Sequence, residues 1–329
     1  MIDGRRSSTG RDEDNRMPLT TAFRTTHLRT LVATAAIALL ATAAPHAARA
    51  QAAATAACDG ACLRGFVDGY FEALAARDPS KLPVAENVKF TENGRVLTLG
   101  EGFWNTAGKP HGYRDYIVDP QTGSAAALSA MMEYDGIAQT FVRLKIVARK
   151  ITEIETFAVR VGDHRWFNPG NLDNLDGTFN AVAPTAGRAT REQLVAAADA
   201  YFTAVTTEGT PQFVQAPFGT GVKRIENGLQ TTMNDKDPVV DRHRLPPEVQ
   251  LERAYYKGAN VQDRRFPVVD VEHGTVLAVA TFRREGPDAS TLLLAEAFKV
   301  TDGKIREIRA VILNLPNGAG TGWSTATTR

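Results

Sequence analysis

The sequence predicts an α+β protein built from one unit used twice, and three observations carry that reading. The phrase "VKFTENGRVLTLG" (Val88 to Gly100) is echoed by "VKRIENGLQTTMN" (Val222 to Asn234). Each phrase follows an amphipathic helix with Tyr-Phe at the same point of its apolar stripe. Each repeat closes on a matching alternating segment, "KITEIETFAVR" and then "KIREIRAVILN". Self-similarity of this length and order marks an internal duplication.

Taken in order, the chain opens on residues 1–50, an N-terminal extension and signal peptide. Arg24, His27 and Arg29 precede the small and apolar run "LVATAAIALLATAA", and Ala48-Arg49-Ala50 supplies the small-x-small pattern for cleavage after Ala50. The run is short for a bilayer span and is broken by His46 and Arg49, so no stable membrane span is expected after cleavage. The stretch before Met17 is too charged for a good signal start, which makes Met17 the expected initiator. Export places the protein in the periplasm or outside the cell. The only two cysteines, Cys58 and Cys62, then lie in an oxidising compartment, where a local disulfide is the first expectation.

The first repeat spans 58–161. Its helix shows Leu63, Phe66, Val67, Tyr70, Phe71 and Leu74 at i, i+3, i+4, i+7, i+8 and i+11, one face of an α-helix. Asn93-Gly94 is a hairpin signal, because a type I′ turn needs positive φ at both central residues. Residues 162–187 have linker composition, yet Trp166, Phe167 and Phe179 predict that the segment packs on a repeat. The second repeat, 188–323, restates the helix with Leu194, Ala197, Ala198, Tyr201, Phe202 and Val205. Thr190 and Gln193 form a capping box at its start, and Asn227-Gly228 gives its hairpin. "DPQTGSAAALSAMM" and "DVEHGTVLAVATF" are further matching strands, and 324–329 is a tail.

Composition excludes several functions. With 38 Lys+Arg against 37 Asp+Glu, the chain has no basic excess with which to hold a phosphate backbone, so nucleic acid is not an expected partner. His111, His164, His243 and His273 make no H-x-x-x-H pattern, so no metal is expected. No P-loop, G-x-S-x-G elbow or dinucleotide fingerprint is present, and no cofactor is expected.

The Tyr-Phe helices, the "TENG" and "IENG" hairpins, "DPQTG", the "ITEIE" and "IREIRAV" strands and the final "GTGW" resemble the tandem SnoaL-like family of the nuclear transport factor 2-like superfamily. The resemblance covers roughly residues 58 to 323. It implies two tandem cone-shaped domains, each a curved antiparallel sheet wrapped around helices and holding an apolar pocket, packed sheet to sheet. It also implies a range of activities, from dehydratases and isomerases to C-C lyases that release formaldehyde from lignin-derived aryl dimers, beside members that only bind.

Within that frame the two hairpins differ in an informative way. Glu92 opposes Arg95 and Phe90 opposes Leu97, a dry face with one ion pair at its tip. In the second copy Arg224 replaces Phe90 and shares a face with Glu226, so a cation and a carboxylate enter a surface its sister keeps apolar. Burying such a pair costs several kcal/mol, roughly, in desolvation, and it therefore needs partners or a purpose. The catalytic reading makes Glu226 a general base and Arg224 an oxyanion partner; the structural one is a satisfied salt bridge. "GKPHGYRDY" after Trp104 places His111, Tyr113 and Tyr116 in an expected loop, His111 and Tyr113 to move protons, Trp104 and Tyr116 to contact an aromatic substrate. Tyr255 and Arg265 give the second repeat a comparable binding set. "DRH" at Asp241 to His243 reads as a solvated charged loop. The function expected is a cofactor-independent lyase acting by acid/base chemistry on a small hydroxylated aromatic compound. The alternative is a periplasmic small-molecule binding or accessory protein. Further association into a homo-oligomer is compatible with either.

Overall fold

Each repeat starts with one long helix, and most of the rest is sheet. The computed structural model describes residues 58–237, 240–283, 286 and 289–323. The signal segment, its cleavage site, Met17 and the tail 324–329 lie outside the described residues. Helix α1 (Gly60–Ala75) is capped by Asp59, whose Oδ1 accepts from the Cys62 amide at 2.8 Å, and Cys58 and Cys62 are joined by a disulfide across this first turn. Strands β1 (Val84–Glu92), β2 (Arg95–Leu97), β3 (Ala107–Asp119), β4 (Ser124–Glu133), β5 (Gly136–Val147) and β6 (Lys150–Val159) form one sheet in the order β2-β1-β6-β5-β4-β3.

The second repeat gives α2 (Arg191–Thr207), β7 (Phe218–Glu226), β8 (Leu229–Gln230), a short α3 (Pro247–Glu252), β9 (Asn260–Asp270), β10 (Thr275–Arg283), β11 (Thr291–Thr301) and β12 (Lys304–Leu315), ordered β8-β7-β12-β11-β10-β9. The Thr190–Gln193 capping box forms, and the six apolar positions that predicted α2 are all buried. No helix among the described residues is long and apolar enough to cross a membrane.

This architecture overturns the expected helix-wrapped cones of antiparallel sheet. The chain is mostly β, with three α-helices among the described residues and two mixed six-stranded sheets. The physical reason is the return of the last strand of each repeat: β6 closes beside β1, and β12 beside β7, running parallel to it. Two tandem sheet units remain, each with a single long helix on one face.

Side-chain alternation divides the core into three layers of contact. Ala125, Ala127, Val142 and Leu144 face α1, while Ala126, Leu128 and Phe141 face the other way. Their counterparts in the second sheet do the same, so the outer faces carry the helices and the inner faces pack sheet on sheet through Phe141, Phe157, Val279, Leu293 and Val311. Phe179 of the connecting segment is buried in this inner layer, so the segment packs.

The inner layer also carries polar contacts in matched pairs. Asp119 accepts from the Val269 amide at 3.3 Å, and Asp270 from the Val118 amide at 3.0 Å. Arg309 on β12 grips Asp115 on β3 at 2.8 and 2.9 Å; Arg265 on β9 grips Glu155 on β6 at 2.6 and 3.2 Å. Asp115 and Arg265 occupy corresponding positions, opposite Leu128 and Val279 respectively, and Glu155 corresponds to Arg309. The two bridges are thus one bridge written twice with its charges exchanged.

The Asn-Gly turns are more than turns. Asn93 and Asn227 both have positive φ, and each side chain also exchanges two hydrogen bonds with the neighbouring strand, Asn93 with Ala158 and Asn227 with Ile312. A Cβ on Gly94 would stand 2.5 Å from the Gly320 carbonyl, and one on Gly228 2.2 Å from the Asn168 carbonyl. Each hairpin tip is therefore seated under a strap from elsewhere in the chain. The strap over Gly228 is the connecting segment, which brings His164 and Trp166 over the second repeat.

Candidate active site in the second repeat

The space between helix and sheet is treated differently in the two repeats. Phe90 and Arg224 correspond, lying opposite Ile154 and Ile308; by the same register Val142 corresponds to Glu296. In the first repeat Phe90, Val142, Tyr70 and Trp104 fill the space, with Trp104 edge-on to Tyr70 at 5.6 Å. In the second, a cavity of about 300 Å³ opens among Tyr201 of α2, Glu226 of β7, Tyr256, Phe282 of β10, Leu294 and Glu296 of β11 and Ile312 of β12. His164 and Trp166 of the strap complete its wall. The volume suits a small ligand.

Arg224 lies behind this wall, fully buried, and organises it. Nε donates to Thr231 at 3.1 Å, Nη1 to the Tyr201 hydroxyl at 3.3 Å, and Nη2 to Gln250 at 2.6 Å and to the Tyr256 hydroxyl. Its donors are spent on neighbours, so it does not line the cavity, and the expected direct contact with an oxyanion gives way to a positioning role through two tyrosines. Glu226 sits with Oε1 at 3.5 Å from Arg224 Nε, while its Oε2 is buried with no hydrogen-bond partner among the described residues. Glu226 is one of the residues that line the cavity.

Glu296 is the residue that the sequence reading missed. Burial, then the negative charge of Glu226, push its carboxyl up to about 8, against the pull of Arg224 and a hydrogen bond from Tyr201. At neutral pH it is protonated. Burial likewise pushes the Tyr256 phenol up to about 12 and holds His164 below the ordinary histidine range, so both are neutral. The only sequence signal for Glu296 was a carboxylate in an otherwise apolar strand, "TLLLAEAFKV".

A raised carboxyl links to stability in a definite direction. The folded chain keeps a proton on Glu296 that the unfolded chain releases above its ordinary value of 4.5, so the contribution is full below that value and is lost as pH rises to about 8. Asp115, pushed up to about 6 by burial against Arg309, acts in the same sense over a narrower window. Urea midpoints should therefore fall between about pH 5 and about pH 9, and Glu296→Gln should remove the part of the slope above about pH 6. A slope unchanged in that variant would contradict the assignment.

The other predicted site residues do not converge here. "GKPHGYRDY" is strand β3 rather than a loop, and alternation with a register shift between His111 and Arg114 sends its side chains apart. His111 pairs with Asp173 at 3.2 Å; the buried Tyr113 hydroxyl accepts from Gln139; Tyr116 donates to Asp68 at 2.5 Å. Trp104 is core, and Arg265 belongs to the bridge with Glu155. Tyr255 lines an outer groove next to the cavity. "DRH" is not solvated as a whole: His243 is buried, pairs with Asp237 at 2.6 Å and meets the Trp166 ring at 5.1 Å. Among the described residues no cluster of three or more His, Cys, Asp or Glu is arranged to hold a metal ion.

Fold and site together define a tandem β-sheet protein with a polar, two-carboxyl cavity in its second repeat. Residues 187–312, which contain α2 and every cavity residue except those of the strap and Asn314, are similar to a family described as a domain of unknown function, DUF8021. No curated protein matches the chain.

Proposed function

We propose that the chain is an exported, cofactor-independent enzyme that performs proton-transfer chemistry on a small hydroxylated aromatic compound, as a C-O or C-C lyase or an isomerase. The observation that carries the reading is the unpartnered Glu226 Oε2 beside a protonated Glu296 in a cavity walled by Tyr201, Tyr256, Phe282 and Trp166. Glu226 takes a proton from the substrate as general base. The Tyr201 and Tyr256 hydroxyls, polarised by Arg224, turn from Glu296 and Gln250 to donate to an oxygen that becomes negative. Glu296 returns a proton, to a departing hydroxyl in elimination of water or to carbon after loss of formaldehyde. The Cys58–Cys62 disulfide supports an oxidising compartment and with it export. Kinship with SnoaL-like enzymes is part of the proposal and rests on the sequence motifs, not on the fold.

The test is substrate depletion by mass spectrometry over a panel of phenolic alcohols and lignin-type aryl dimers. Wild type should remove water or formaldehyde mass from at least one compound, and Glu226→Gln should slow that step roughly a hundredfold or more. Equal rates would remove Glu226 from the chemistry. Saturable binding without turnover across the panel would leave a ligand-binding protein.

A further inference from the structure

Trp166 and Arg165 line both the inner cavity and an outer groove of about 670 Å³, so the two adjoin at the strap. The groove is cationic and aromatic where the cavity is acidic. The Arg165 guanidinium stacks on the Trp166 ring at 4.5 Å and that of Arg242 at 4.7 Å, with Arg242 also 5.8 Å from the Tyr255 ring. Stacking fixes the plane of the Arg242 guanidinium and leaves its N–H edge for an in-plane acceptor. Arg242 makes no ion pair among the described residues, and its Nε is buried without a hydrogen-bond partner. The carboxylate of the groove, Asp241, is exposed and leans toward Arg244 at 3.6 Å.

We infer that this groove is an anion subsite, and that the ligand of the cavity is an aryl compound carrying a carboxylate on a short chain. The inference rests on the cavity being the ligand site proposed above. Charge sorts the ligand end for end. A carboxylate driven inward would meet Glu226 and would gain nothing from Arg224, whose donors are occupied. Held outside by Arg242, it leaves the ring against Trp166 and the reacting end inside. Specificity of this kind combines attraction at the mouth with repulsion at the base.

The test compares 4-phenylbutyrate with 4-phenylbutan-1-ol, matched in shape and differing in charge, by calorimetric titration of the purified chain. The acid should bind about tenfold tighter, as a charge-assisted hydrogen bond provides, and the margin should shrink as salt is raised. Arg242→Gln should abolish most of the margin while leaving the affinity for the alcohol unchanged, which also reports that the variant is folded. Glu226→Gln should keep the margin. Equal binding of the two probes, a margin that survives Arg242→Gln, or no binding of either at millimolar concentration overturns the subsite. Because the readout needs no turnover, a failed lyase assay with the margin intact removes the catalytic reading alone.

Discussion

Arg309→Ala is expected to destabilise the chain by about 3–5 kcal/mol, read from urea denaturation at neutral pH. Arg309 is buried between the sheets and holds Asp115 at 2.8 Å, Glu307 at 2.6 Å and Asp176 at 3.2 Å. Its removal leaves Asp115 desolvated with its cation gone, while little water can reach it through the surrounding Phe179 and sheet residues. The loss should be smaller in the Asp115→Asn background, since there the stranded charge is absent; that non-additivity separates a lost ion pair from lost side-chain volume. If the two changes simply add, the bridge is not what holds the carboxylate.

Arg224→Ala should cost a similar amount, again about 3–5 kcal/mol, and should also disable the cavity. The guanidinium supplies hydrogen bonds to Thr231, Tyr201, Gln250 and Tyr256 and faces Glu226. Without it two phenols and an amide lose their donor, and Glu226 is left beside Glu296 with no compensating cation. Arg224→Phe combined with Glu296→Val gives these positions the residues of the first repeat, Phe90 and Val142, and should regain much of the stability while binding no ligand. Denaturation and calorimetry on the three proteins check both halves. A double variant no more stable than Arg224→Ala would show that the polar network is not the source of the loss.

How far the sequence could be read depended on the range of the interaction. Helix stripes, the Thr190 capping box and the Asn-Gly turns are local, set within a dozen residues, and they form as predicted. The parallel return of β6 beside β1 joins residues some sixty apart, which no local pattern encodes, so the sheet was expected to be purely antiparallel. The site divides in the same way. Arg224 and Glu226 stood out because two copies of one hairpin could be compared. Glu296 joins them only through the register of β11 on β12, and His164 and Trp166 only through a strap whose linker composition hid its role. His111 and Tyr113 are two apart on one strand, which alone would give them one face, and it is the register shift between His111 and Arg114 that turns them to different partners, Asp173 and Gln139.

The charge-exchanged bridges bear on which partner each repeat will accept. If two copies of the first repeat met in the geometry seen here, Asp115 would face Glu155; two copies of the second would bring Arg265 against Arg309. Either like-with-like pairing would bury two charges of one sign twice over, whereas the mixed pairing buries two attractive pairs. The interface is thus complementary between unlike repeats and not between like ones. Sister repeats on one chain meet at the high local concentration that tethering provides, and a repeat of the same kind from another chain is disfavoured by charge.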